Sequence, residues 1–263
     1  MLLEMKHASK TFRASRGSGP VHAVKDATLQ ARPGEFVAIV GESGSGKSTL
    51  ARMLLGLIPA SSGGIELDGV LLAGMSRSEL RHYRRSVQAV LQDPAGSLNP
   101  RKTVRRAIGE IVRLHRIASG RAAVDEKVMQ VLRLVGFDQA ETVLDRYPHE
   151  VSGGQRQRVL IARAIVLDPK IIVADEAVSA LDASVKAGVL RLMNDLKERL
   201  GIGYVFITHD LPVVKKVADY VYVMKSGEIV EEGTKEKIFS DPDHPYTKTL
   251  LAASPVLEVI DQR

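Results

Sequence analysis

The sequence predicts an α/β fold interrupted by a block of helices, and three observations carry that reading. A glycine-rich stretch, Gly41-Glu42-Ser43-Gly44-Ser45-Gly46-Lys47-Ser48-Thr49, sits between an apolar run and a helical pattern. Apolar runs of strand length at 35–40, 87–91, 170–174 and 204–208 alternate with amphipathic helical stretches. From 103 to about 146 the apolar spacing is helical, as in Val104, Ile108, Ile111 and Val112 and again in Val124, Val128, Val131 and Val135.

Taken in order, 1–12 and 21–32 read as two strands joined by a Gly/Ser/Arg loop, and Arg32-Pro33-Gly34 as a turn. The run at 35–40 is a buried strand, and the helix after the glycine stretch is stopped near Gly56 and Pro59. Residues 62–70 form a hairpin turning at Asp68-Gly69, and Ser76 with Glu79 is a capping box that opens a short polar helix. A strand at 87–91 precedes the helical block, which is placed at 95–165. The strand at 170–175 ends in acid, Asp182 caps a helix stopped by Gly201, and another strand ends at Thr208. A helix follows from about Leu211. A hairpin turning at Ser226-Gly227 and two short helices over 234–254 complete the chain.

With 44% hydrophobic and 26% charged residues, the 263-residue chain has the composition of an ordinary globular protein. No apolar run approaches the roughly 20 residues of a membrane-spanning helix. The first residues lack the charged-then-apolar order of a signal peptide, so any membrane role is expected to run through a partner. The absence of cysteine excludes disulfides, thiolate zinc sites and cysteine-ligated iron–sulfur clusters, and a cytosolic location is expected. The net charge of +6 raises nucleic acid as a partner. Much of the excess lies at residues 101, 102, 105, 106, 113, 116 and 121, against Glu110 alone. No aromatic residues interleave there to stack bases, so a solvated helix face, also suited to anionic lipid headgroups, is the expectation.

The stretch 41–49 fits G-x-x-x-x-G-K-[ST], with the strand before it and the helix after it that a phosphate-binding loop requires. Its glycines let backbone N–H groups turn toward phosphate oxygens at a helix N-terminus. Lys47 would reach the β- and γ-phosphates, and the Ser48 hydroxyl would hold Mg²⁺. At the end of the strand 171–175, Asp175 is a candidate metal ligand and Glu176 a candidate base for an attacking water. Ser152, Gly153, Gly154 and Gln155 open a second helix with little side-chain bulk, a second anion cradle that makes sense when it serves another subunit's nucleotide. Gln92 ends a strand where it can touch metal or water. His209 follows a strand where it can hydrogen-bond a γ-phosphate.

In this order the motifs resemble those of ABC transporter ATP-binding subunits, over nearly the whole chain. Walker A corresponds to 41–49, the Q-loop to Gln92, the LSGGQ signature to VSGGQ at 151–155, and Walker B to 171–175 followed by Glu176. The D-loop corresponds to Ser179-Ala180-Leu181-Asp182 and the switch histidine to His209. The resemblance implies a P-loop NTPase (RecA-like) core with an antiparallel β subdomain at 1–94 and 166–225, an inserted α-helical subdomain at 95–165, and a C-terminal hairpin and helices at 226–263. It implies ATP and Mg²⁺. Gly41, Ser43, Gly44, Ser45, Gly46, Lys47, Ser48 and Thr49 would hold the phosphates and Phe12 would stack on the base. Ser152, Gly153, Gly154, Gln155 and Asp182 would act from a second subunit. Ser48, Gln92 and Asp175 would hold the metal, and Glu176, His209 and Gln92 would serve hydrolysis. The partners implied are a second ABC ATPase subunit, two membrane permease subunits and, indirectly, a substrate-binding protein. The subunit would lie peripherally on the cytoplasmic face of the inner (plasma) membrane, and no nucleic acid partner is expected.

Within that family, Leu91-Gln92-Asp93-Pro94, Leu98-Asn99-Pro100-Arg101 and the tail His244-Pro245-Tyr246-Thr247 look like importer subunits for oligopeptides, dipeptides and nickel. Many of these carry a cysteine-rich segment after HPYT, so with no cysteine an iron–sulfur-bearing member is not expected. The alternative is a nucleic-acid-associated ABC ATPase of the repair or translation type. It draws on the high pI, but no coiled-coil insertion, zinc module or second cassette is visible.

Overall fold

The computed structural model describes residues 1–13, 19–91 and 97–254. The chain divides into two compact units, Met1–Gly74 with Tyr204–Arg263, and Met75–Gly203.

In the first unit, β1 (Leu3–Phe12) pairs antiparallel with β2 (Val21–Ala31) and with β4 (Ser62–Leu67), which turns back into β5 (Val70–Leu71). Asp68 and Gly69, at φ 51° and 78°, make that turn in the left-handed region that Asp-Gly favours. A second set of strands runs in the order β10-β9-β3-β8. Here β3 (Phe36–Val40) lies parallel to both β8 (Gly203–Ile207) and β9 (Tyr220–Lys225), and β10 (Glu228–Thr234) returns antiparallel to β9. Every residue of β3 and β8 is buried, which is why both read as unbroken apolar runs rather than alternations.

Among the described residues this unit carries the α-helices α1 (Lys47–Leu54), α7 (Leu211–Val217), α8 (Lys235–Ser240) and α9 (Pro245–Ala252). Val40, Leu211, Val214, Val223, Ile238 and Tyr246 form one buried cluster, with Phe239, Leu250 and Leu251 packed against it. The short C-terminal helices are therefore part of the core rather than an appendage.

In the second unit, the Ser76 hydroxyl accepts from the Glu79 N–H at 3.3 Å and the Glu79 carboxylate accepts from the Ser76 N–H at 2.7 Å, completing the capping box of α2 (Arg77–Ser86). Strand β6 (Val87–Val90) pairs parallel with β7 (Ile171–Asp175). The helical block includes α3 (Val104–Leu114), α4 (Arg121–Leu134) and α5 (Gly153–Ile165); Val104, Ile108 and Val112 of α3, Val124, Val128, Val131 and Leu132 of α4, and Val159, Leu160 and Ile161 of α5 are all buried. The long α6 (Ala183–Leu200) ends at Gly201, φ 65°.

The cationic run is partly neutralised within this unit. Lys102 and Arg106 pair with Glu110, while Arg105 bridges Asp125 and Asp145. Hydrogen bonding to Asp145 leads the causes that raise the Arg105 pKa. Part of the cationic run is thus held in ion pairs, one of them reaching Asp125 and Asp145 further along the sequence, while the net charge of the chain stays at +6.

Phe36 is fully buried, stacked on Tyr204 with ring centroids 5.0 Å apart and tilted against Phe206 at 5.5 Å. Phe36→Ala is expected to cost about 3–5 kcal/mol, read as a lowered midpoint in urea denaturation. A loss near zero would refute this packing.

Candidate functional site

The first unit carries the phosphate-loop candidate between β3 and α1. Two of its glycines are sterically required. At Gly41 (φ 152°) a Cβ would stand 2.1 Å from the Met224 carbonyl oxygen, and at Gly46 (φ 106°) 2.2 Å from that of Ala23. The loop is also tied to the hairpin turn, since the Gly227 N–H donates to the Ser45 carbonyl at 2.9 Å. Lys47 is only 7% exposed. Its ammonium donates to Gly41 O at 2.8 Å, Glu42 O at 2.7 Å and Ser45 Oγ at 3.3 Å. The charge is held among oxygens of its own loop, which replace its hydration. Ser43 and Gly44 lie on the exposed rim, Ser45 is buried, and Ser48 is exposed in the first turn of α1, followed by half-buried Thr49.

The Glu42 N–H donates to the Tyr246 hydroxyl at 3.1 Å. Burial raises the Tyr246 pKa, and the Glu42 carboxylate adds to it, so the phenol stays protonated at neutral pH. His209 follows β8 and is exposed, after the buried Thr208, whose hydroxyl accepts from the Asp210 N–H at 3.0 Å. Phe12 ends β1 and is 41% exposed with the Lys10 ammonium 5.4 Å from its ring centroid, so it is no core residue of that strand.

The second unit holds the other candidates. Asp175 ends the buried β7 and is 9% exposed. Glu176 follows at φ 51°, a left-handed backbone uncommon outside glycine, and its carbonyl accepts from the Ser179 N–H at 3.2 Å and hydroxyl at 2.9 Å. Ser152 caps α5: its hydroxyl accepts from the Gln155 N–H at 3.2 Å, and the Gln155 side chain accepts from the Ser152 N–H at 2.9 Å. Ser152 and Gly153 are exposed, whereas a Cβ on Gly154 would lie 2.5 Å from Val185 Cγ1. A groove of about 380 Å³ opens beside Ser152 and Gln155, walled by Phe137, Arg158, Ser184 and Val185. Asp182 caps α6, accepting from the Val185 N–H at 3.0 Å and the Ser184 hydroxyl at 2.9 Å. Gln92 lies outside the described residues.

The structure thus gathers Lys47, Ser48 and His209 in one unit and Asp175, Glu176, Ser152–Gln155 and Asp182 in the other. Sequence reading missed the backbone walls at Ala23 and Met224 and the Tyr246 contact, because partners so distant in sequence leave no local pattern.

Comparison with known proteins gives a consistent picture. Residues 24–179 match the family model "ABC transporter", and 230–262 match "Oligopeptide/dipeptide transporter, C-terminal region". The glutathione import ATP-binding protein GsiA of Salmonella paratyphi A is 46% identical over 93% of this chain and 39% of its own length. The chain therefore spans about two fifths of the curated relatives it matches. The dimeric structure of MJ0796, a bacterial ABC transporter cassette, is similar at TM-score 0.77 and 29% identity, covering 89% of this chain and 98% of that one. A dimeric post-hydrolysis state of MJ0796 bound to ADP and Pi is similar at TM-score 0.76, with the same identity and coverage.

Hydrogen bonds from Val185 and Ser184 lower the Asp182 pKa. Its stabilisation is therefore full above the ordinary aspartate pKa and disappears as pH falls through the lowered one. Asp182→Ala is expected to lower the melting temperature at pH 7, with the gap to wild type closing as the pH falls below the ordinary aspartate range. A gap that does not change with pH would exclude a charged cap.

Proposed function

The chain belongs to the ABC transporter family, and from that membership we propose that it is the ATP-hydrolysing subunit of an importer for peptides or nickel. It works in a nucleotide-sandwich dimer docked on two membrane permease subunits. The observation that carries this reading is the exposed Ser152-Gly153 start of α5, a candidate phosphate cradle in addition to the one around Lys47. Two cradles on one chain serve one nucleotide each when subunits pair head to tail, so that each triphosphate lies between one copy's Lys47 and its neighbour's signature turn. The similar MJ0796 cassette, solved as a dimer, supports that pairing.

The side chains divide the work. Phe12 stacks on the base, and the amides of 43–49 with Lys47 take the phosphate charge. The fit of a polyphosphate rests on the close backbone cradle at Gly41 and Gly46 and on a buried ammonium already held by oxygens. Ser48, Asp175 and Gln92 supply hard oxygen donors suited to Mg²⁺. Held there, Mg²⁺ would supply positive charge against the charge that develops on the transferring phosphoryl group. Glu176, directly after β7 on a left-handed backbone, takes the proton from the attacking water. His209 orients that water and the γ-phosphate.

Peptide cargo is favoured by the match of 230–262 to the oligopeptide/dipeptide transporter C-terminal region and by the glutathione importers among the relatives. Nickel rests on the branch resemblance alone. No described helix is long and apolar enough to cross a membrane, so the permease subunits provide the attachment at the cytoplasmic face, and a substrate-binding protein delivers cargo to them. The nucleic-acid reading rests on the net charge of +6 alone, whereas the family matches favour the importer.

Glu176→Gln is expected to keep ATP binding, cut hydrolysis by at least about a hundredfold and accumulate the closed dimer on size-exclusion chromatography with ATP. Normal turnover in that variant would refute the role. Ser152→Arg is expected to block closure while the isolated subunit still binds nucleotide with wild-type affinity by equilibrium titration. Loss of that binding would mean Ser152 serves its own chain's nucleotide.

A further inference from the structure

The C-terminal helix α9 reaches back to the phosphate loop through one residue. Tyr246 lies 204 positions after Glu42, is 7% exposed, and belongs to the buried cluster that includes Val40, Val223 and Leu211. Its position is held from several directions. The His244 ring nitrogen accepts from the Tyr246 N–H at 3.1 Å, and the Glu231 carboxylate of β10 accepts from the Asp243 and His244 N–H groups at 2.7 and 3.1 Å. The Lys225 ammonium sits 4.7 Å from the Tyr246 ring centroid.

The atom this framework presents to the loop is the phenol oxygen. The Glu42 N–H that it accepts and the Gly41 carbonyl that accepts from Lys47 Nζ are the two ends of one peptide group. That group is planar, so neither end can turn without the other. Tyr246 and Lys47 therefore grip the same peptide from opposite edges, and hydrogen bonds aligned through one amide strengthen each other. Glycine at 41 leaves the rotation of this plane freer than a residue with a side chain would, because glycine populates both signs of φ. Without the phenol oxygen, the peptide can rotate, the Gly41 carbonyl leaves Lys47, and the ammonium loses the alignment from which it meets phosphate.

We infer that Tyr246 is a positioning residue for the nucleotide loop, through which the HPYT segment sets ATP affinity. The inference rests on the assignment of 41–49 as the nucleotide site. It gives the C-terminal region a task at the ATP site in addition to whatever the region does in import.

The test is Tyr246→Phe in the full chain assembled with its transporter. The ring, its packing and the Lys225 contact remain, and only the hydroxyl goes. The KM for ATP is expected to rise about five- to tenfold with kcat within about twofold, the size of one lost hydrogen bond. Lys225→Met, which removes the cation but not the hydroxyl, should leave both parameters within about twofold. An unchanged KM in Tyr246→Phe, or a loss confined to kcat as from a smaller active fraction, would overturn the inference. A second measurement needs no variant: by hydrogen exchange in the wild-type chain, the Glu42 amide should exchange at least about tenfold more slowly than the Ser43 amide. Equal exchange would likewise overturn it. A wild-type chain that binds no ATP would instead sink the assignment of the loop itself.

Discussion

Much of the first unit answers to one buried charge. An ammonium taken out of water costs several kcal/mol unless oxygens replace its hydration, and Lys47 receives Gly41 O, Glu42 O and Ser45 Oγ. Turning those carbonyls inward has a consequence for the rest of the loop. The amide edges of the same peptides turn away from the lysine and need acceptors of their own. Tyr246 meets that need for Glu42 from a helix near the other end of the described chain, and the close approach to Met224 and Ala23 demands residues without a Cβ at 41 and 46. The familiar spacing of glycines and lysine is thus the local trace of a constraint that also involves β2, β9 and α9.

That division explains what could be read from the residues alone. Features whose partners lie within a few positions were legible: the capping box at Ser76, the Asp182 cap, the Gly201 stop, and the turns at Asp68-Gly69 and Ser226-Gly227. Buried parallel strands were legible because burial on both faces writes an unbroken apolar run. Contacts between distant residues were not. Arg105 lies 20 residues from Asp125 and 40 from Asp145, and nothing in the spacing pairs them, so a run that reads as surplus charge folds into an ion-pair network. The interleaving of 1–74 with 204–263 in one compact unit is equally invisible to local pattern. Phe12 shows the limit from the other side: the aromatic was noticed, but only burial distinguishes a core residue from an exposed ring.

Glu176 differs from Asp68 and Ser226, which share its positive φ. Asp68 and Ser226 take that conformation inside two-residue hairpin turns, where the chain reverses and the geometry is expected. Glu176 takes it directly after a strand whose every residue is buried, and Ser179 holds its carbonyl from two donors. A left-handed glutamate costs about 1–3 kcal/mol and persists only when its surroundings overdetermine it. Strain of that kind is most economically understood as aiming a side chain.

The signature turn allows structural and ligand-directed needs to be separated residue by residue. The capping box accounts for Ser152 and Gln155, since each satisfies an amide at the start of α5. Contact with Val185 accounts for Gly154. Neither reason reaches Gly153. A Cβ there would meet only Leu181, at an ordinary 3.8 Å, and its backbone is not among the left-handed ones. Alanine would serve the helix better, because glycine gives up more conformational freedom on folding. What glycine alone provides at that position is an uncovered amide on an exposed helix N-terminus, and the group that gains most from such a surface is an anion arriving from outside the chain.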